Sequence, residues 1–157
     1  MLKKTSAHLR IVRFETWHLD WLNFEGEFLR EGLGLADRIT PEQAKLLERL
    51  SDSWTGLQDG TVQGCGGFTP ICPGVLEIWM YLGDKAFDRK KTVLRFMKYV
   101  LNDIIKKRKP HRIQAVVKTD FHAGIKFAEA FGFKNEGLMR KFSSNKEDFY
   151  RYARIID

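Results

Sequence analysis

The chain opens on a strict alternation. Residues 8–15, HLRIVRFE, alternate apolar with polar side chains, the period of a strand with one buried face. The period then changes. In TWHLDWLNFEGEFL, Trp17, Trp21, Phe24 and Phe28 recur three or four apart, which predicts the buried stripe of a helix with Thr16 as its N-cap. A shorter helix follows in TPEQAKLLERLSDS: Thr40 caps it, Pro41 suits its first turn, and Ala44, Leu47 and Leu50 share one side.

Strand patterns return in SWTGLQDGTVQGCGGF. Asp59-Gly60 lies between two extended runs and predicts a hairpin turn, because such a turn needs positive φ. The glycines of GCGGF (64–68) lack the strand-to-helix setting of a dinucleotide loop and predict a bulge or close packing instead. Residues 75–83, VLEIWMYLG, are almost continuously apolar, the pattern of a strand covered on both faces. From Val93 to Ile105 the apolar residues trace about four turns of amphipathic helix. Lys106, Lys107, Arg108 and Lys109 follow at its C-terminal end, where cations suit the helix dipole, and Pro110 ends it.

RIQAVV (112–117) predicts another strand, and FHAGIKFAEAF a helix with Gly132 as left-handed cap and Phe133 folded back. LMRKFSS and DFYRYARII predict two closing strands around the turn NKED. The order is β-α-α-β-β-β-α-β-α-β-β. We read an α/β (α+β) fold in one domain spanning residues 1–157, with a mixed central sheet of about six to seven strands and helices on both faces.

Composition agrees with one folded unit. The chain has 157 residues, 43% of them hydrophobic and 13% aromatic, enough for a single core and short for two. No apolar stretch has the length of a membrane span, and MLKKTSAHLRIVRF shows no apolar h-region, so no membrane association and a cytoplasmic location are expected. Cys65 and Cys72 are not in a CxxC and suit reduced thiols. The histidines at 8, 18, 111 and 122 lack metal-ligand spacing, so no metal site is expected. The formal net charge of +7 favours an anionic partner: nucleic acid, a polyphosphate-bearing cofactor or an acidic protein.

The stretch FAEAFGFKNEGLMRKF, a helix ending in Gly-Phe and followed by Glu-Gly, resembles the last helix and following strand of the Gcn5-related N-acetyltransferase (GNAT) superfamily. With EDFYRYARI it is closest to the branch that acetylates ribosomal-protein N-termini, and to small GNAT-like proteins of tailed phages. The resemblance covers the whole chain in element order, and its motif content lies in residues 112–156. It implies acetyl-CoA as co-substrate and an amine as acceptor, on a protein or a small molecule. It also implies a fourth strand whose backbone, here Met80, Tyr81 and Leu82, pairs with the pantetheine amides. The diphosphate would sit at the next helix start, at Arg89, Lys90, Lys91, Thr92 and Val93. Pairing through edge strands would make a homodimer.

Three residue sets depart from the family or bear on its chemistry. DRKKTV has no glycine where the family's phosphate loop has two small residues, so side-chain cations and a hydroxyl would replace backbone N–H groups; a solvated basic turn is the alternative. At the last helix Phe121 stands where the family has Asn, beside His122, and Ala128 stands where it has the Tyr that acts as general acid. A thiol of pKa ~8.5 leaves tolerably unaided, and His122, Tyr81 or Tyr150 are substitutes. Glu77 is the sole charge inside VLEIWMYL. The resemblance makes it the general base; a structural glutamate paired with a lysine or arginine is the alternative.

Two further functions stay open on the sequence. One is a catalytically degenerate GNAT-fold phage protein acting as a binding or structural component, in host cytoplasm or virion. The other, supported by charge alone, is a nucleic-acid-binding module.

Overall fold

The computed structural model describes residues 9–23, 39–83 and 90–157. Its elements are β1 (Leu9–Arg13), α1 (Trp17–Asn23), α2 (Pro41–Leu50), β2 (Asp52–Gln58), β3 (Thr61–Cys72) and β4 (Val75–Leu82). There follow α3 (Lys90–Arg108), β5 (Arg112–Lys118), α4 (His122–Ala130), β6 (Lys134–Met139) and β7 (Phe149–Ile155). The element order is the one the hydrophobic pattern predicts.

The strands form one 7-stranded sheet in the order β1-β2-β3-β4-β5-β7-β6. Every neighbouring pair is antiparallel except β4 and β5, which run parallel with α3 as their crossover. The β2–β3 hairpin turns on Asp59 and Gly60, both at positive φ (51° and 77°), as a two-residue turn of this hand requires. In β3 the glycines mark close packing. A Cβ on Gly66 would lie 2.7 Å from the Trp79 carbonyl oxygen, and one on Gly67 would lie 2.6 Å from Ser53 Cβ. The register shift of this pair falls at Gly56/Leu57.

Two cores sit on opposite faces of the sheet. On one, Phe68, Leu76, Ile78, Met80, Ile113, Ala115 and Val117 pack under Met97, Val100, Leu101 and Ile104 of α3 and Ala128 of α4. On the other, Val62, Cys65, Trp79 and Tyr81 pack under Phe14, Leu19, Leu22 and Ala44. β4 therefore feeds both cores with alternate side chains, which explains its unbroken apolar run. Each fully buried Val, Leu, Ile, Phe or Met among them contributes roughly 1.5–3 kcal/mol relative to exposure. No helix among the described residues is long and apolar enough to cross a membrane.

The helix ends follow local chemistry. Thr40 Oγ1 accepts from the Gln43 N–H at 3.2 Å while Gln43 Oε1 accepts from the Thr40 N–H at 2.9 Å, a complete capping box. At the end of α4, Gly132 has φ 82° and the Phe133 N–H reaches back to the Ala128 carbonyl at 3.1 Å. This left-handed cap buries Phe133, as its sequence predicts.

Three expectations need correction. Trp17 and Trp21 are 47% and 51% exposed, and α1 instead buries His18, Leu19 and Leu22; Phe24 and Phe28 lie outside the described residues. The two stripes differ by about one residue, or ~100° of rotation, and the residues next to Phe14 and Trp79 won the core. Leu50, the last residue of α2, is 52% exposed. The penultimate strand is Lys134–Met139 rather than LMRKFSS: Lys141 and Lys146 adopt positive φ (52° and 60°), and Phe142 and Ser143 bond to Glu147, so 140–147 form the turn.

Candidate active site

β4 and β5 pair through three rungs only: Val75 with Arg112, Leu76 with Ile113, and Glu77 with Gln114. Both strands continue, β4 to Leu82 and β5 to Lys118, but the ladder stops. Beyond Glu77, β4 stays registered with β3, Ile78 opposite Phe68 through Leu82 opposite Gly64. β5 stays registered with β7 through Lys118 opposite Phe149. Each strand follows its other neighbour and the sheet forks. Beyond this rung Ile78–Leu82 pair with β3 alone, so their β5-facing main-chain groups border the fork outside any strand ladder. It opens at the carboxyl ends of two parallel strands, where open α/β sheets take ligands.

The fork's borders carry the residues expected there. Met80 and Tyr81 bury their side chains in opposite cores and Leu82 is half-buried, which leaves their backbone along the opening. α3 begins at Lys90 with no acidic residue in its first turn, where the helix dipole has its positive end. Lys91 is exposed there, with Thr92 and Val93 half-buried; Arg89 and the Lys90 side chain lie outside the described residues.

Across the fork, the α4 start is built differently from the expectation. The Phe121 ring folds over Gly124, where a Cβ would meet its Cδ1 at 2.4 Å, and the Phe121 N–H donates to the Lys118 carbonyl at 3.0 Å. Phe121 is thus a packing residue at this end, and His122 stands exposed beside it. Asp120 pairs with Lys118 at 3.6 Å and does not cap the helix. Ala128 is 2% exposed and, with Ile78, Met97 and Phe131, lines a hollow of about 10 Å³. An apolar cavity of about 60 Å³ lies under α3 on its other side, between Phe96 and Gly56, Gly64 and Gly66. Cys65 is buried, and desolvation pushes its thiol far above the ordinary range, which excludes it as a nucleophile.

Glu77 sits at the apex of the fork, on the side of the sheet that carries α1 and α2. Its Oε2 accepts from Gln114 Nε2 at 2.9 Å, and both carboxylate oxygens lie near Arg151 Nη1, at 3.3 and 3.4 Å. The side chains of Glu77 and Arg151 are 23% and 25% exposed. One strand further, Arg112 grips Glu136 through two bonds of 2.9 and 2.5 Å and donates to Gln114 at 2.8 Å. The Arg112 guanidinium holds the Glu136 carboxyl below the usual carboxylate range. Glu77 is therefore held by an arginine and a glutamine at the point where the β4–β5 ladder ends. Gln114, Arg151 and Arg112 are not singled out in the sequence, and Glu136 enters there only as part of the Glu-Gly of the resemblance. Their signal is faint: polar residues two apart in RIQAVVK, and Arg151 among aromatics in FYRYARI.

No protein-family model matches the chain, and no curated protein matches it. Solved structures do. An acetyl transferase from Salmonella typhimurium that modifies the N-terminal serine of a 50S ribosomal subunit protein aligns over 98% of this chain and 97% of its own, with TM-score 0.76 and 19% identity. An acetyltransferase of the GNAT family from Streptococcus pneumoniae aligns over 96% and 100%, with TM-score 0.68 and 14% identity. A ribosomal alpha-N-protein acetyltransferase in complex with coenzyme A aligns over 98% and 96%, with TM-score 0.73 and 17% identity. At these identities the likeness establishes the fold: this chain has the GNAT architecture over its full described length.

Proposed function

We propose that the chain is an acetyl-CoA-dependent N-acetyltransferase that acts by direct transfer in a ternary complex. One observation carries the reading: the β4–β5 ladder ends at Glu77 and Gln114, so the sheet forks beside a helix start with no acidic residue in its first turn. The backbone of Met80, Tyr81 and Leu82 would take the pantetheine amides. The start of α3, with Arg89, Lys90, Lys91, Thr92 and Val93, would take the diphosphate by main-chain N–H groups and side-chain cations. Phe121 and His122 border the opposite lip, the first by packing.

Acetyl-CoA supplies the activated acetyl group: a neutral amine attacks the thioester carbon, the C–N bond forms, the C–S bond breaks, and the thiolate takes up a proton. Glu77, alone or through one water, receives the proton that the amine nitrogen loses. Gln114 and Arg151 hold its carboxylate in place. Main-chain amides of β4 along the fork polarise the thioester carbonyl. Departure of the thiolate relies on its own acidity, since Ala128 has no proton to give.

The acceptor is an amine, with a protein N-terminus the first to test, because two of the aligned structures are described as acting on ribosomal or N-terminal protein targets. β6 is an exposed edge strand that would serve a homodimer, and a cytoplasmic setting suits the chemistry, in a host cell where a phage encodes the chain. The buried Ala128 and the glycine-free start of α3 favour a second reading, a GNAT fold retained as a binding or structural component.

Calorimetric titration with acetyl-CoA, coenzyme A and 3′,5′-ADP separates the two. Micromolar binding of acetyl-CoA supports the transferase. Absence of binding at millimolar ligand removes it and leaves the binding component.

A further inference from the structure

Arg151 is poorly served for an arginine three-quarters buried. A guanidinium carries five donors, and charge-assisted bonds to carboxylate run near 2.7–2.9 Å. Among the described residues, Arg151 meets Glu77 through a single nitrogen at 3.3 and 3.4 Å, and its Nη2 faces only the Met139 sulfur at 3.8 Å. Arg112, on the adjacent strand β5 and the same face, shows what a satisfied arginine looks like there: two bonds to Glu136 and one to Gln114. Glu136 is gripped by Arg112 through both oxygens, and no hydrogen bond from Arg151 to it is formed among the described residues. Glu77 is anchored independently by Gln114, so it keeps its place when Arg151 turns away.

This pair presents a cation with unused donors and an anion with a spare edge, side by side at the fork. We propose that Glu77 and Arg151 recognise an acceptor that carries a carboxylate close to its amine. The amine N–H groups bond to Glu77 while the acceptor carboxylate takes Arg151 as a fork. The inference rests on the transferase reading and narrows its acceptor. Opening the Glu77–Arg151 contact to admit both ends of such a molecule in its ammonium form leaves no charge unpaired, and Glu77 then takes the proton whose loss leaves the amine neutral for attack. A polyamine or an aminoglycoside would instead bring more positive charge against Arg151 with nothing to satisfy it. The required chemistry is met by the α-carboxylate of a free amino acid, or by the side chain of an N-terminal aspartate in a protein.

The test follows coenzyme A release from acetyl-CoA with matched acceptors: alanine and alanine amide, and peptide amides that begin with Asp or with Asn. Spermidine is the carboxylate-free control. The expected result is a kcat/KM at least tenfold higher for the carboxylate member of one pair, and the pair that shows it names the source. In Arg151→Met that preference collapses, while Arg151→Lys keeps part of it. Equal rates within both pairs overturn the proposal, as does an Arg151→Met variant that slows carboxylate and carboxamide acceptors alike. Titration of the same peptides without acetyl-CoA covers failure of the transferase reading. A carboxylate-dependent affinity lost in Arg151→Met, in a protein that does not bind acetyl-CoA, supports the clamp and overturns the enzyme. No difference in affinity in that protein overturns both.

Discussion

Gln114 Nε2 donates to Glu77 Oε2 at 2.9 Å, and the two residues are also the last rung of the β4–β5 ladder. The place where main-chain pairing ends is thus the place where a side-chain bond fixes the candidate base. Glu77→Gln keeps the shape and a contact to Gln114 but removes the proton acceptor. Turnover is expected to fall roughly 100-fold or more, with acetyl-CoA affinity changed by less than about twofold. Calorimetry beside steady-state assays makes the comparison. Turnover within a few-fold of the parent protein would return Glu77 to a structural role as partner of Arg151.

At the start of α3, Lys91 is exposed and Thr92 half-buried, and no acidic residue stands in the first turn. Lys91→Gln is expected to weaken acetyl-CoA binding about three- to tenfold, the modest effect of a solvent-screened contact to phosphate. The parent protein should lose affinity as salt rises from ~50 to ~500 mM, with a shallower slope in the variant. Calorimetric titrations at several salt concentrations check both. Identical affinities and slopes would leave the diphosphate to the main-chain N–H groups alone.

Much of this architecture is legible in the sequence because it rests on local rules. Asp59-Gly60 can hardly avoid a tight turn, Thr40 and Gln43 define their own cap, and Gly132-Phe133 closes α4 by the bond its sequence implies. The two-faced burial of β4 follows from its apolar run. The fork itself is not legible, because where a parallel ladder stops depends on how β5 follows β7, a relation between distant segments. The partner of Glu77 hides for the same reason: Arg151 is 74 positions away. α1 misleads because two tryptophans outweigh His18, Leu19 and Leu22 in any count of hydrophobic period, yet the neighbours Phe14 and Trp79 select the second set.

Ala128 occupies the position where the family resemblance expects a tyrosine, but the surrounding hollow is only about 10 Å³. A phenol ring has no room there without moving Met97, Phe131 or the Ile78 side of β4. Ala128→Tyr is therefore expected to destabilise the fold by roughly 1–3 kcal/mol, the usual effect of overpacking, and to leave turnover no higher. Thermal melts show the first effect and coenzyme A release the second. An unchanged melting temperature with faster turnover would mean that the helix adapts and that the lost general acid can be restored.

His18 gives the protein a pH-dependent stability. It is 1% exposed, and its Nδ1 accepts from the Glu15 N–H at 3.0 Å, with the Thr55 hydroxyl at 2.8 Å on the same atom. Nδ1 must therefore be unprotonated, so the ring is neutral with its proton on Nε2. Desolvation lowers its pKa below the ordinary 6.5, opposed in part by the nearby Glu15 and Glu48 carboxylates. In the unfolded chain the imidazole takes a proton as pH falls through about 6.5, whereas in the fold it resists to a lower pH. The unfolded state then binds more protons, and stability falls with pH across that interval. The contribution is complete above about pH 7 and is lost progressively below 6.5 until the folded pKa is passed. His18→Gln keeps an acceptor for the Glu15 N–H but does not titrate. Its stability should therefore decline less between pH 7.5 and 5, although the lost ring contacts to Phe14 and Trp17 lower it at every pH. Denaturant midpoints measured on both proteins across that range give the difference, and His111 and His122, present in each, cancel. Parallel curves would show that His18 takes up its proton equally in the folded and unfolded states and that its Nδ1 bonds are not as drawn.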